Sequence, residues 1–271
     1  DTPTQRKWPD CSPAHGLRRS GAAADHRRAM SRNRDLSARL GCLLARHQSL
    51  HDPDEEPRNR LRWLPEVRRW QALRLEASFD RFLRDPKRRP AAQFFLSDVY
   101  NDRDFSRRDA DVAKVLPMMQ RLLPAALLTT IADAIELGLL THALDLRMAG
   151  MLQGLAPDLR ELDGDLYARA YRACGLPRLR DHQIELLAGV GVDLGRALRL
   201  PGVSMLLRLS RGPARAAGLE ELQGFLERGF AAFGALGDAG AFIAEIEADE
   251  RELARRLFDG DPRPFSMAGI K

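Results

Sequence analysis

Apolar positions recur along this chain in one-sided helical stripes. Leu36, Leu40, Leu43, Leu44 and Leu50 form the first, as the buried face of an α-helix requires. It stops at HDPDEEP, residues 51–57, a charged, proline-bearing linker of the kind that ends helices. A second amphipathic helix is predicted from about Arg58 to Arg84. Its apolar positions are Leu61, Leu64, Trp70, Leu73, Phe79 and Phe82, and its opposite face is rich in arginine. Near the far end, Leu222, Phe225, Gly229, Phe233 and Leu236 fall at offsets 0, 3, 7, 11 and 14. Phe242, Ile246, Leu253 and Leu257 fall at 0, 4, 11 and 15. Period-two runs rich in valine and isoleucine are absent, and no repeat recurs at a fixed spacing. The pattern predicts an all-α protein: a compact bundle of about ten helices with short turns and no significant sheet.

The segment with the densest mixture of charge and aromatics, FFLSDVYNDRDFSRRDADVAKVLP, residues 94–117, reads as a helix junction. PAAQFFLSDVY predicts a short helix with Pro90 in its first turn and Phe94, Phe95 and Val99 inward, ending in the turn formers Asn101 to Asp104. Asp104 or Ser106 can cap the next helix, with Asp109 and Asp111 in its first turn, where the helix dipole favours negative charge. Pro117 and Pro124 end or bend the following pieces. The other reading of this junction is functional, with Asp98, Tyr100, Asp104 and Arg107 or Arg108 converging on a polar ligand.

Residues 1–29 show no periodicity and carry three prolines, whereas MSRNRDLSARLGCLLARHQ becomes amphipathic at once. This contrast predicts a disordered leader or appended segment, with Met30 as the natural start. The expected organisation is then a basic helical arm over 30–89, a main bundle over 90–260 and a loose tail over 261–271. The 271 residues and 44% hydrophobic content suffice for a substantial core.

Charge is unevenly placed. Residues 1–29 carry a net +3, residues 30–90 a net +6, and the remainder a net −4. A basic first third offers a nucleic-acid accessory role, although only four of the 43 basic residues are lysine and no nucleic-acid-binding module is recognisable. Cys11, Cys42 and Cys174 lack metal or disulfide spacing, which points to structural thiols in a reducing cytoplasm. No secretory signal opens the chain. The apolar run Leu122 to Leu144 carries Asp133, Glu136 and His142, so it reads as a buried core helix rather than a membrane span.

The combination F-F-L-x-D-x-Y, R-D-F-S-R-R-D-x-D, V-L-P-M-M, A-I-E-L, L-R-L-S-R-G-P-A-R and F-L-E-R-G-F-A-A-F resembles a family of uncharacterised proteobacterial proteins over roughly Ala91 to Phe258. The resemblance implies a cytoplasmic, helical bacterial protein and brings no reaction, cofactor or partner.

Three further constellations bear chemistry. Asp133 and Glu136, His142 and Asp145, and His182 and Glu185 are i, i+3 pairs, so each shares a helix face. A carboxylate and imidazole cluster in a bundle holds iron or manganese in some proteins. This chain, however, has no Glu-x-x-His motif. Arg208, Arg211 and Arg215 flank the Ser210 to Pro213 break and offer an anion clamp. GVGVDLG, with Gly189, Gly191 and Gly195, has the wrong spacing and the wrong preceding element for a dinucleotide loop. These glycines, with Gly150, Gly154, Gly224 and Gly229, are expected to permit close helix approach or mark helix ends. Met118, Met119, Met148 and Met151 read as core filler. Cys174, beside Gly175 and Pro177, reads as a helix terminus.

The leading expectation is a non-catalytic interaction or scaffold protein that self-associates or binds a protein partner, without a cofactor. The alternative is a ligand- or metal-binding helical enzyme using Asp133, Glu136, His142, His182 and Glu185, with the arginine clamp. A nucleic-acid accessory role is the third.

Overall fold

The computed structural model describes residues 22–99, 125–159, 161–200 and 202–266, with side chains from residue 35 onward except at 99 and 206. Among the described residues there are eleven α-helices, a 3₁₀ turn, a π turn and no strand. The helices are α1 (Ala22–His51), α2 (Trp63–Ser78), α3 (Asp80–Arg84), α4 (Arg89–Phe94), α5 (Ala125–Leu155), α6 (Gly164–Cys174), α7 (Pro177–Ala197), α8 (Val203–Leu209), α9 (Arg211–Ala216), α10 (Glu220–Gly234) and α11 (Ala239–Asp259). The 3₁₀ turn, Pro57–Arg60, lies between α1 and α2, and the π turn, Phe95–Val99, extends α4. The predicted cap at Asp104 or Ser106, Pro117, Met118 and Met119 lie outside the described residues.

Helix 5 is the axis. It is long and apolar enough to cross a membrane by length and composition, yet α1, α2, α6 and α7 all pack against it. Helix ends follow local chemistry. Asp163 caps α6 by accepting from the Leu166 N–H at 2.8 Å. Gly175, at φ 60°, closes α6 in the left-handed region, and Pro177 opens α7. This is the terminus that the Cys174 neighbourhood predicts. Asp238 caps α11 in the same way as Asp163 caps α6.

The core has three main parts. Trp63, Leu64, Val67 and Trp70 of α2 pack with Leu146, Met148 and Leu152 of α5, Tyr167 and Tyr171 of α6, and Leu257 of α11. A second, aromatic part joins Phe79, Phe82, Phe94 and Phe95 to Phe233 and Phe242. The third holds Leu40, Leu43 and Leu44 of α1 against Leu128, Ala132 and Leu139 of α5.

Four expectations are modified. The predicted helix over 58–84 is three pieces, a 3₁₀ turn, α2 and α3. The Ser78 hydroxyl bonds back to the Arg74 carbonyl at 3.0 Å, just before the break at Phe79, a local competition with the helix ladder. Leu73, placed on the apolar stripe, is 58% exposed. Backbone helix already begins at Ala22 and continues through Met30, within the span expected to lack structure, while residues 1–21 lie outside the described residues. In the described part of the tail expected to be loose, residues 261–266, Phe265 is buried, with its ring edge-on to Trp70 at 4.8 Å between centroids.

Candidate functional site

Five helices each turn a polar side chain toward one point. Gln71 and Arg74 lie one turn apart on α2, Thr141 and Asp145 on α5, Tyr167 and Tyr171 on α6, and Arg180 and Gln183 on α7, while α11 supplies Glu250. Spacings of three or four residues put each pair on one helix face. The faces enclose a cavity of about 70 Å³ with an otherwise apolar rim. About 10–15 Å³ in this measure admits one water, so the space suits several waters or a small polar ligand.

Its electrostatics follow from pairing. The Arg74 guanidinium forks onto the Glu250 carboxylate, with Nη2 to Oε2 at 3.1 Å, which cancels both charges. The Gln71 amide donates to Asp145 Oδ1 and to the Tyr167 hydroxyl, each at 3.2 Å. Burial raises the Asp145 pKa, opposed by the nearby Arg68 and Arg180. Burial likewise holds the Tyr167 and Tyr171 phenols above their ordinary value, so both are protonated donors at neutral pH.

Arg180 is the unusual member. It is 8% exposed, stacks over the Tyr171 ring at 4.7 Å, and donates to Gln183 Oε1 at 3.1 Å. The Gln183 amide continues to the Thr141 hydroxyl at 2.8 Å. No carboxylate among the described residues lies within 4.0 Å of this guanidinium. A guanidinium carries five N–H donors, and buried cations are ordinarily paired. The Tyr171 hydroxyl also has no hydrogen-bond partner among the described residues. Neither group is sealed off: the one side-chain polar atom buried without a partner there is Trp63 Nε1. The free donors of Arg180 and Tyr171 therefore reach cavity space.

The structure does not bring the metal candidates to one point. Arg39 of α1 donates to Asp133 at 2.7 Å and to Glu136 at 2.6 Å, and His182 Nε2 lies 3.2 Å from Glu136. Burial raises the Glu136 pKa, but the bonds from Arg39 and His182 outweigh it and hold the group below its ordinary value. Among the described residues Glu185 meets His182, at 3.8 Å, and Arg251, at 3.9 Å. His142 faces elsewhere, because six residues beyond Glu136 is about 240° around a helix. It stacks on His51 at 3.9 Å, and His51 stacks on His47 at 4.1 Å. Its nitrogens meet Arg68 Nη2 at 2.8 Å and Asn59 Oδ1 at 3.0 Å. Among the described residues no group of three or more His, Cys, Asp or Glu side chains could hold a metal ion.

The other candidates are also placed. Arg208, Arg211 and Arg215 are exposed, and Arg211 is tied to Glu227 at 2.6 Å. Asp98 is buried and accepts from Arg228 Nε at 2.8 Å and from the Ser97 hydroxyl at 2.7 Å. Tyr100, Asp104, Arg107 and Arg108 lie outside the described residues. The ten arginines between 58 and 89 are internally engaged. Six meet acidic side chains, at Glu56, Asp54, Glu66, Glu250, Asp80 and Asp249. Arg88 meets Asp85 and Glu245, and Arg68 meets Asp145 and His142. Arg62 and Arg89 donate to backbone carbonyls. Each of these ten guanidinium groups thus has a partner within the protein.

The sequence pattern pairs Asp145 only with His142 and does not single out Arg74, Tyr167, Tyr171 or Arg180. The available signal was polarity on a buried face: Arg74 falls one turn after Trp70, and both are buried.

A family model described as Domain of unknown function (DUF8198) matches residues 50–264. The match starts well before Ala91, where the resemblance drawn from the motifs began, and takes in α2 to α4. No curated protein and no solved structure matches the chain.

Proposed function

The chain belongs to this family of unassigned function, and from its own geometry we propose that it is a helical domain that binds a small polar ligand in the central cavity. One observation carries this reading: a buried guanidinium, Arg180, and a phenol, Tyr171, turn unspent donors into an enclosed space. Convergent polar groups in a mostly apolar pocket are the usual form of a ligand site. The polar lining holds two guanidinium groups, Arg74 paired with Glu250 and Arg180 without an ion-pair partner among the described residues, beside neutral donors, a set that can hold and orient a ligand.

The test is ligand-observed NMR of the full chain against small polar compounds, with Ala254→Leu as a blocked control, since Ala254 lines the cavity and is buried. Binding to the wild type that disappears in a folded Ala254→Leu supports the reading. Equal binding by both proteins rejects it.

Self-association is a second reading, supported by Met205 and Leu209, which are 60% and 69% exposed one turn apart on α8. Light scattering on wild type and on Met205→Arg/Leu209→Arg tests it: an assembly that the double variant dissolves supports it, and a wild-type monomer rejects it.

A further inference from the structure

We propose that the central cavity is a site for a small monocarboxylate, received by the Arg180 guanidinium with the Tyr171 hydroxyl as a second donor. This deepens the ligand-binding reading above and rests on it.

The charge inventory selects an anion. Arg74 is neutralised by its fork onto Glu250. Asp145 has Arg68 as its ion-pair partner, at 3.9 Å. Arg180 is left as a cation bonded to a neutral amide and stacked on an aromatic face, with the Asp145 carboxyl close enough to feel its charge but not within ion-pair distance. Burying such a charge is costly unless an opposite charge reaches it.

The same inventory limits the anion to one charge. Nothing else in the cavity offers a free cation among the described residues, so a dianion such as hydrogen phosphate would bring an uncompensated negative charge into a desolvated space. The planar fork of a guanidinium matches the two oxygens of a carboxylate. The apolar rim, which includes Ile184, Leu187 and Ile246, suits a short hydrocarbon substituent, and about 70 Å³ excludes a large one.

The experiment titrates the full chain with ¹³C-labelled acetate, acetamide and inorganic phosphate by NMR at neutral pH and matched ionic strength. Acetate should bind at least tenfold tighter than acetamide and than phosphate. Arg180→Gln should weaken acetate at least tenfold, Tyr171→Phe severalfold, and Asp145→Asn should tighten it by removing a competing carboxylate. The Tyr171 and Asp145 variants keep the proposal open to refutation should Arg180→Gln fail to fold. Equal binding of acetamide and acetate overturns the anion assignment, and tighter phosphate overturns the single-charge assignment; both leave the ligand site standing. Absence of all three, together with no difference between wild type and Ala254→Leu in the compound screen, overturns the ligand site itself.

Discussion

Gly191 of α7 faces Ile243 of α11 so closely that a Cβ on the glycine would stand 2.4 Å from Ile243 Cδ1 and 2.8 Å from its Cγ1. Ile243 is buried, so its side chain has little room to yield. Gly191→Ala is therefore expected to destabilise the protein by about 1–3 kcal/mol, the ordinary cost of overpacking. Gly189, two residues earlier, has nothing within 4 Å of its added Cβ, and Gly189→Ala should stabilise by up to about 1 kcal/mol through helix propensity. Urea unfolding of both variants checks the pair, and equal effects would contradict the close approach.

The His142 imidazole supplies a pH dependence. Burial, with His51 and Arg68 beside it, lowers its pKa from 6.5 to about 3. The unfolded chain thus binds a proton below pH 6.5 that the folded chain refuses until about pH 3. Stability from this group is complete above pH 6.5 and falls with acidification by about 1.4 kcal/mol per pH unit. His142→Gln should flatten the fall between pH 6.5 and 5, where few carboxylates titrate. Parallel stability profiles for the two proteins would refute the assignment.

Phe265 is the anchor of the C-terminal segment. Its ring meets Trp70 and Tyr167 and packs against Gly164. Phe265→Ala should cost about 3–5 kcal/mol, as for other buried phenylalanines. A loss well under 1 kcal/mol in chemical denaturation would mean that the segment does not hold the core.

Arg74 and Glu250 bridge α2 to α11, with side chains only 10% and 20% exposed. Arg74→Met leaves a mostly buried carboxylate without its partner and should cost about 3–5 kcal/mol. Arg74→Met/Glu250→Met should recover much of that loss, because two apolar groups need no counter-charge. A double-mutant cycle measures the coupling, and strictly additive losses would show that the pair is not coupled.

Much of the bundle was legible one helix at a time. Phe233 in α10, and Phe242, Ile246 and Leu257 in α11, are buried as their periodic offsets require. Gly229 belongs to the same stripe because the Phe94 ring occupies its missing side chain, 2.8 Å from where a Cβ would be. The expectation of close helix approach therefore holds at Gly191 and Gly229, whereas Gly150 and Gly154 have open space. Periodicity failed where direction changes without a change of pattern, as at Phe79, and where Leu73 sits on the stripe without a neighbour to cover it. The cavity was harder to read, for a physical reason. Helical spacing reveals that Tyr167 and Tyr171 share a face, but the register that sets them opposite Arg180 and Gln71 is decided by packing among five helices. The metal candidates show the same limit: spacing puts Asp133 and Glu136 on one face, but it does not reveal that Arg39, distant in sequence, is the group that meets both.

The walls of the central cavity run in sequence from Gln71 to Leu257, so no wall helix can detach without opening it. Occupancy and folding then draw on one free energy. A ligand present at a hundred times its dissociation constant adds about 2.7 kcal/mol to the folded state. That gain should appear as slowed amide exchange in α2, α5, α6, α7 and α11 together, the signature of a cooperative unit, rather than as protection confined to the residues the ligand touches. The cavity makes the bundle a reporter of its own contents.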